Sequence, residues 1–249
     1  MRQLLLSGEI ESGESVRLEA EDFHYLARVL RLSVGDRFEL LDAAGNRHAA
    51  TISRLGEGFL IATAEPLARE DRSYPQVPVT LYQAIPKGQK TDLIIRQTVQ
   101  SGVTTFVPLL TERTVVRSDG FSPARLERWR RVAREAVQQS GAATPVEIRA
   151  PVRLAEVTAA RGAISLVLHT KPIAQQTLHG YLDRVPLQVE LLVGPEGGLT
   201  ETEVARLEEC GFQALHLGPR VLRTETAAVF ALGAVQILLK ERDSWRPVG

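Results

Sequence analysis

The chain has 249 residues, with 30 Lys and Arg against 30 Asp and Glu, and 44% hydrophobic residues. That length and apolar content hold one large or two modest domains with a proper core, and the zero net charge excludes a generic polyanion-coating protein. A lone cysteine, Cys210, excludes an intrachain disulfide, while no charge-free apolar span is long enough for a bilayer and residues 1–7 are too short for a signal-peptide core, so a cytoplasmic protein off the membrane is expected.

Residues 1–65 read as short strands joined by tight turns, with strand patterns at 37–41, 48–53 and 59–64 and turn residues at 42–45 and 56–58, which predicts a meander. One helix, about 22–30, interrupts it with Phe23, Leu26, Val29 and Leu30 on one face. Pattern alone defines a small β domain. Pro66, Pro75 and Pro78 around the charged run 69–72 mark a linker, so the expected domains are 1–72 and 73–249.

Beyond the linker, strand and helix signals alternate: 79–84, 91–101 ending at Gly102, 105–109, 122–140 and 164–168. Alternation of this kind predicts an α/β domain with a mainly parallel sheet. The long helix starts with Ser122 as cap and Pro123 in its first turn, and stops at Gly141. Leu126, Trp129, Val132, Ala133, Ala136 and Val137 form its buried stripe; Arg125, Arg128, Arg131 and Arg134 fall elsewhere, as a solvated face or an RNA-contacting one.

Charge is unevenly spread. Residues 1–72 hold 9 Arg and 13 acids, a net −4, whereas 87–134 hold 10 Lys or Arg and 4 acids, a net +6. Arginine outnumbers lysine 26 to 4, a bias that suits phosphate and base recognition and that a GC-rich genome also produces.

Two loops near the C-terminus are the most informative feature. Gly194, Pro195, Glu196, Gly197 and Gly198 follow an apolar strand at 189–193 and precede Thr200 and Glu203, spaced as a capping box. Alone, this loop reads as a tight turn. The second loop, 217–227, joins a short strand at 214–217 to a helix at 224–240 that is apolar on nearly every face, which predicts burial. It carries Arg220 and Arg223. Loops at the carboxyl ends of strands in an open α/β sheet are where ligands bind, so two of them predict one shared pocket.

These loops closely resemble the SPOUT methyltransferases, and among them the 16S ribosomal RNA uridine-N3 methyltransferase family. The resemblance spans the chain, through residues 24–31 (His-Tyr-Leu-Ala-Arg-Val-Leu-Arg), Lys87-Gly88-Gln89-Lys90, Thr111-Glu112-Arg113, Arg128-Trp129, Ala136 and Gln139-Ser140. The chain departs from the family pattern at Gln100, Ser101 and Ala142. The resemblance implies a trefoil-knotted C-terminal domain with a mainly parallel sheet, a small N-terminal PUA-like β-barrel that binds RNA, and a homodimer through the knotted domain.

It also implies S-adenosyl-L-methionine as cofactor and 16S rRNA of the small ribosomal subunit as partner. The expected cofactor pocket comprises Leu168 and His169, Val193 with the loop 194–198, Leu217, Gly218, Leu222, Arg223, Thr224, Thr226 and Ala227. His169 reads equally as an ordinary strand-end histidine. Uracil N3 must lose a proton to become nucleophilic, so Arg223 is expected to stabilise the anion, with Glu196 and Glu225 as candidate bases whose alternative role is helix N-terminal charge. Arg2, His24, Arg28, Arg31, Lys87, Lys90 and Arg113 are the expected RNA contacts. The rivals are a SPOUT enzyme acting on another RNA or position, and a non-catalytic RNA-binding assembly factor. Phosphate-loop, nucleophile-elbow and dinucleotide-loop motifs are absent from the sequence, and its five scattered histidines give no metal-ligand spacing, so no metal is expected.

Overall fold

In the computed structural model, residues 3–6, 8–67, 77–114, 121–142, 144–172 and 175–241 are described. The chain divides into two compact units, one of residues 1–72 with 137–145 and one of 73–136 with 146–249.

The first unit contains β1 (Gln3–Leu5), β2 (Ser15–Glu19), α1 (Ala20–Phe23), β3 (Arg37–Leu41), β4 (Arg47–Leu55) and β5 (Phe59–Pro66). They form a curled sheet of order β1-β3-β4-β5-β2. Only β3–β4–β5 is the expected meander. β1 joins by parallel pairing with β3, and β2 closes antiparallel on β5, both strands too short or too polar to read in advance. Alternation puts Phe38, Leu40, Ala50, Ile52, Leu60, Ala62 and Ala64 in one core with Leu4, Leu18 and Leu26.

The predicted helix near 22–30 is a correction. After its four α residues, α1 continues as a π-helical run, His24–Val29, and left-handed Ala20 (φ 49°) and Arg31 (φ 56°) bracket it. The wider turn rotates side chains off the 3.6-residue stripe: Leu26 is fully buried, whereas Val29 is 57% exposed. The Arg47 guanidinium donates to Glu39, and Asn46 and His48 contact Asp42. Burial works to raise the Asp42 pKa, but the hydrogen bonds from Asn46 and His48 outweigh it and hold the carboxyl below its ordinary range.

The second unit contains β6 (Val79–Ala84), α2 (Lys90–Gln100), β7 (Thr105–Leu110), α3 (Pro123–Ser140) up to residue 136, β8 (Glu147–Ile148), β9 (Val152–Arg153), β10 (Ala163–His169), α4 (Leu178–Tyr181), β11 (Gln188–Val193), α5 (Glu201–Glu209), β12 (Gln213–His216) and α6 (Thr224–Glu241). Every pairing in its seven-stranded sheet is parallel, in the order β12-β10-β11-β6-β7, with β8 and β9 both on β7. The central strands are buried and mostly apolar: Val189, Leu191, Leu192 and Val193 of β11 are all buried, with Glu190 a buried charge among them. The expected stripe of α3 holds for Trp129, Val132, Ala133, Ala136 and Val137, all under 5% exposed.

At the sheet edge, β12 has its outward backbone groups occupied by side chains. Gln175 accepts from His216 N and donates to His216 O, and the Tyr181 hydroxyl donates to Ala214 O. An amide side chain thereby copies a missing strand and blocks edge pairing. On α6, Ala227, Ala228, Ala231, Leu232, Val235 and Leu239 are buried within the chain, whereas Phe230 and Ile237 are 54% and 56% exposed. In residues 224–241 both apolar faces exist; among the described residues only one is covered.

Candidate functional site

β6 and β11 are neighbours whose connections leave in opposite directions, β6 toward β7 and β11 toward β12 by way of α5. A parallel sheet opens a crevice where its connections diverge. The glycine loop leaves β11 here. Gly198 takes φ +70°, open to glycine at little cost, and in the second loop Gly218 takes φ +120°. Close packing limits two others: a side chain on Gly194 would meet Leu199 at 3.2 Å, and one on Gly197 would meet the Arg113 side chain at 3.3 Å.

The loops are held from three sides. Thr200 and Glu203 form the predicted capping box at the start of α5, and the buried Glu203 carboxylate also accepts from Glu112 N at 2.8 Å. That contact fixes the turn after β7, from which Arg113 donates to Gly197 O. Deeper in, Gln83 near the end of β6 donates to Thr224 Oγ1 at 2.9 Å, and Thr224 donates to Gly194 O at 2.8 Å. Nearer solvent, Lys90 Nζ lies 3.7 Å from Glu196 and 3.2 Å from Glu225, while Lys87 N donates to Glu196 at 3.2 Å.

Between the loops lies a cavity of about 680 Å³, within the range of small-molecule sites. Leu168, His169, Val193, Gly194, Pro195, Glu196, Gly197, Gly198, Leu217, Gly218, Leu222, Arg223, Thr224 and Ala227 all line it. Thr226 does not; it is exposed on α6. Arg113, Thr170, Lys171 and Arg220 add polar lining, and Glu201, Val204 and Glu208 on α5 form an outer wall. His169 Nδ1 turns to the backbone of Lys171, 3.0 Å from its carbonyl.

Of the candidate catalytic groups, Arg223 and Glu196 line the cavity and Glu225 stands beside it against Lys90. The backbone amide of Glu225 itself, with Lys90 and Arg223, holds the Glu225 carboxyl below its ordinary pKa despite partial burial. Among the expected RNA contacts, His24, Arg28 and Arg31 are exposed on the first unit, Lys87 and Arg113 are exposed on the second, and Lys90 is half-buried. Arg2 lies outside the described residues. Among the described residues there is no cluster of metal-ligating side chains, and no helix long and apolar enough to cross a membrane.

Gln83 and the anchoring role of Arg113 escaped sequence reading. A polar residue at the carboxyl end of an otherwise apolar parallel strand was the signal for Gln83.

A parallel α/β sheet with two backbone-walled loops over its strand ends, in a chain that also carries a small β domain, defines a two-unit α/β protein with a ligand site at its strand ends. A family model for the RNA methyltransferase domain matches residues 73–236, and one for the RNA methyltransferase PUA domain matches 18–65. The ribosomal RNA small subunit methyltransferase E of Synechocystis is 38% identical over 91% of this chain and 74% of its own. Two solved structures are also similar: the Neisseria gonorrhoeae enzyme of that name bound to S-adenosyl methionine (30% identity, 96% and 98% coverage, TM-score 0.85), and a Legionella pneumophila methyltransferase with bound SAM (30%, 95% and 97%, 0.82). The chain belongs to the ribosomal RNA small subunit methyltransferase E family.

Proposed function

We propose that the protein transfers the methyl group of S-adenosylmethionine to N3 of a uridine in 16S rRNA of the small ribosomal subunit. One observation carries the reading: the cavity between the 194–198 and 217–224 loops, walled by backbone and aliphatic groups with Arg223 on its lining. Adenine, ribose and a sulfonium suit such a wall, because amides and carbonyls read the base and sugar edges while Leu217 and Leu222 supply apolar contact. When bound, the cofactor supplies an electrophilic methyl group whose departure neutralises the sulfonium.

Arg223 then stabilises the negative charge that spreads over the uracil carbonyl oxygens as N3 loses its proton. Glu196 leads as proton acceptor. Glu225 has its proton affinity lowered by its own backbone amide first and then by Lys90 and Arg223, which weakens it as a base, and it serves instead to hold Lys90. Arg113 keeps further guanidinium donors for phosphate after giving one to Gly197 O, and Lys87 extends the basic rim. His24, Arg28 and Arg31 on the PUA domain supply RNA contacts of their own.

The stripe of α6 formed by exposed Thr226, Phe230 and Ile237 with half-buried Gly233 repeats at helical spacing and supports a homodimer through this domain. The strand order and the return of α6 across β11 to α2 support the knotted path that the resemblance implies. The work of the enzyme is assigned to the cytoplasm, where ribosomal subunits mature.

The test is transfer from labelled S-adenosylmethionine to isolated small subunits lacking the modification, followed by nucleoside mass analysis. Label in N3-methyluridine is the expected result; label in another nucleoside, or none with cofactor bound, overturns the assignment.

A further inference from the structure

We infer that Gln83 is a positioning residue of the cofactor cavity: acting through Thr224, it fixes the Gly194 carbonyl and so holds the glycine loop against the first turn of α6. Gln83 is 1% exposed and stands beside Val193 in the parallel register of β6 and β11. Its Nε2 donates to Ala84 O at 3.0 Å as well as to Thr224 Oγ1. A carbonyl only accepts, so the Ala84 oxygen requires the amide nitrogen on that side and decides which way the Gln83 amide faces. Thr224 Oγ1 therefore accepts from Gln83, and its single proton is directed to Gly194 O. The relay has one direction, from strand to loop.

Its target is unusual. The peptide between Gly194 and Pro195 has no N–H, so its carbonyl is the one polar handle by which that peptide can be held. Thr224 is 6% exposed, which leaves little access for water to take over the contact. Gln83 also has a cost: its Oε1 is buried without a hydrogen-bond partner among the described residues. An aliphatic side chain would fill β6 without stranding an acceptor, so the amide is retained for what its nitrogen does. The outer tie of Lys90 to Glu196 and Glu225 links the same two loops through partly exposed charges and is the weaker of the two.

The inference rests on the cofactor reading only for its effect on affinity. In the full-length protein, Thr224→Val and Gln83→Glu weaken S-adenosylmethionine binding by calorimetry about tenfold or more, while kcat at saturating cofactor changes less than about threefold. Gln83→Glu acts because a carboxylate can only accept and draws the Thr224 proton away from Gly194. Thr224→Ser, which keeps the hydroxyl, recovers most of the affinity lost in Thr224→Val. Hydrogen exchange measured without cofactor rises in peptides covering 194–198 in Thr224→Val and Gln83→Glu, and falls back in Thr224→Ser. Unchanged exchange in Thr224→Val, a serine variant as impaired as valine, or a loss of kcat with affinity intact overturns the relay. A wild type that binds no S-adenosylmethionine overturns the cofactor reading instead, and exchange still decides the relay.

Discussion

The two ends of β11 treat a carboxyl group in opposite ways. Glu190, near the start of the strand, is 3% exposed and accepts from the Tyr82 hydroxyl at 3.3 Å, Ala160 N at 3.0 Å and the Ser165 hydroxyl at 2.5 Å. Glu196, just beyond the other end, is exposed, lines a cavity, and among the described residues is held by Lys87 N and Lys90. At the first end polar groups are spent on one another within the fold. At the second they remain within reach of a ligand, and the backbone there is shaped by glycine rather than locked in a ladder.

The sharpest way to break that contrast is to remove charge at the cavity end. Arg223→Ala should lower turnover by about 10²–10³, the cost of losing one preorganised group at a developing anion, with cofactor affinity changed less than about threefold; single-turnover rates and calorimetry check both. Retained turnover would end the charge-stabilising role.

The opposite end should respond in stability alone. Glu190→Ala leaves three donors without their acceptor and is expected to cost on the order of 3 kcal/mol, read as a lower urea midpoint with cofactor binding intact once folded. Glu196→Ala should leave the midpoint almost where it was.

A pH titration sharpens the same difference. Burial first, then the charge and hydrogen bond of Glu190, push the Tyr82 pKa up to about 12. A phenol whose folded pKa is raised contributes stability that is whole below the ordinary value of about 10 and is lost as pH rises through the folded one. The urea midpoint of the wild type should therefore fall between these values more steeply than that of Tyr82→Phe. Equal slopes would remove Tyr82 from the buried cluster.

The smallest effect belongs to Lys90. Its ties to Glu196 and Glu225 are partly exposed, so Lys90→Ala should cost no more than about 1 kcal/mol at neutral pH. The Glu225 carboxyl, held low in the folded state, contributes stability present above the ordinary carboxylate range and lost as pH falls through its folded pKa. Without Lys90 that acid-side loss should begin at higher pH, as a shifted acid-unfolding midpoint.

Most of the α/β unit was legible because its strands are mostly apolar and its helices carry recognisable ends. Thr200 and Glu203 announced α5, and Ser122 and Pro123 announced α3. β1 and β2 escaped because each is held by a distant strand rather than by a local hairpin, and Val29 was misassigned because a π-helical turn has no signature in a 3.6-residue period. At the site, the loops could be read but their fastening could not. Glu203 holding Glu112 N, Arg113 on Gly197, and Gln83 on Thr224 join residues separated by 91, 84 and 141 positions.

By itself the sequence determined the class of each unit, the strand-loop-helix character of both C-terminal motifs, and the residues able to wall a pocket, since these follow from local periodicity, capping and glycine. Only the tertiary structure decided which side chains fasten those loops around their cavity, that α6 leaves Phe230 and Ile237 exposed, and that a buried amide from β6 holds the glycine loop in place. Parallel pairing brings strand ends together regardless of their distance along the chain, and no local pattern encodes which side chains then meet.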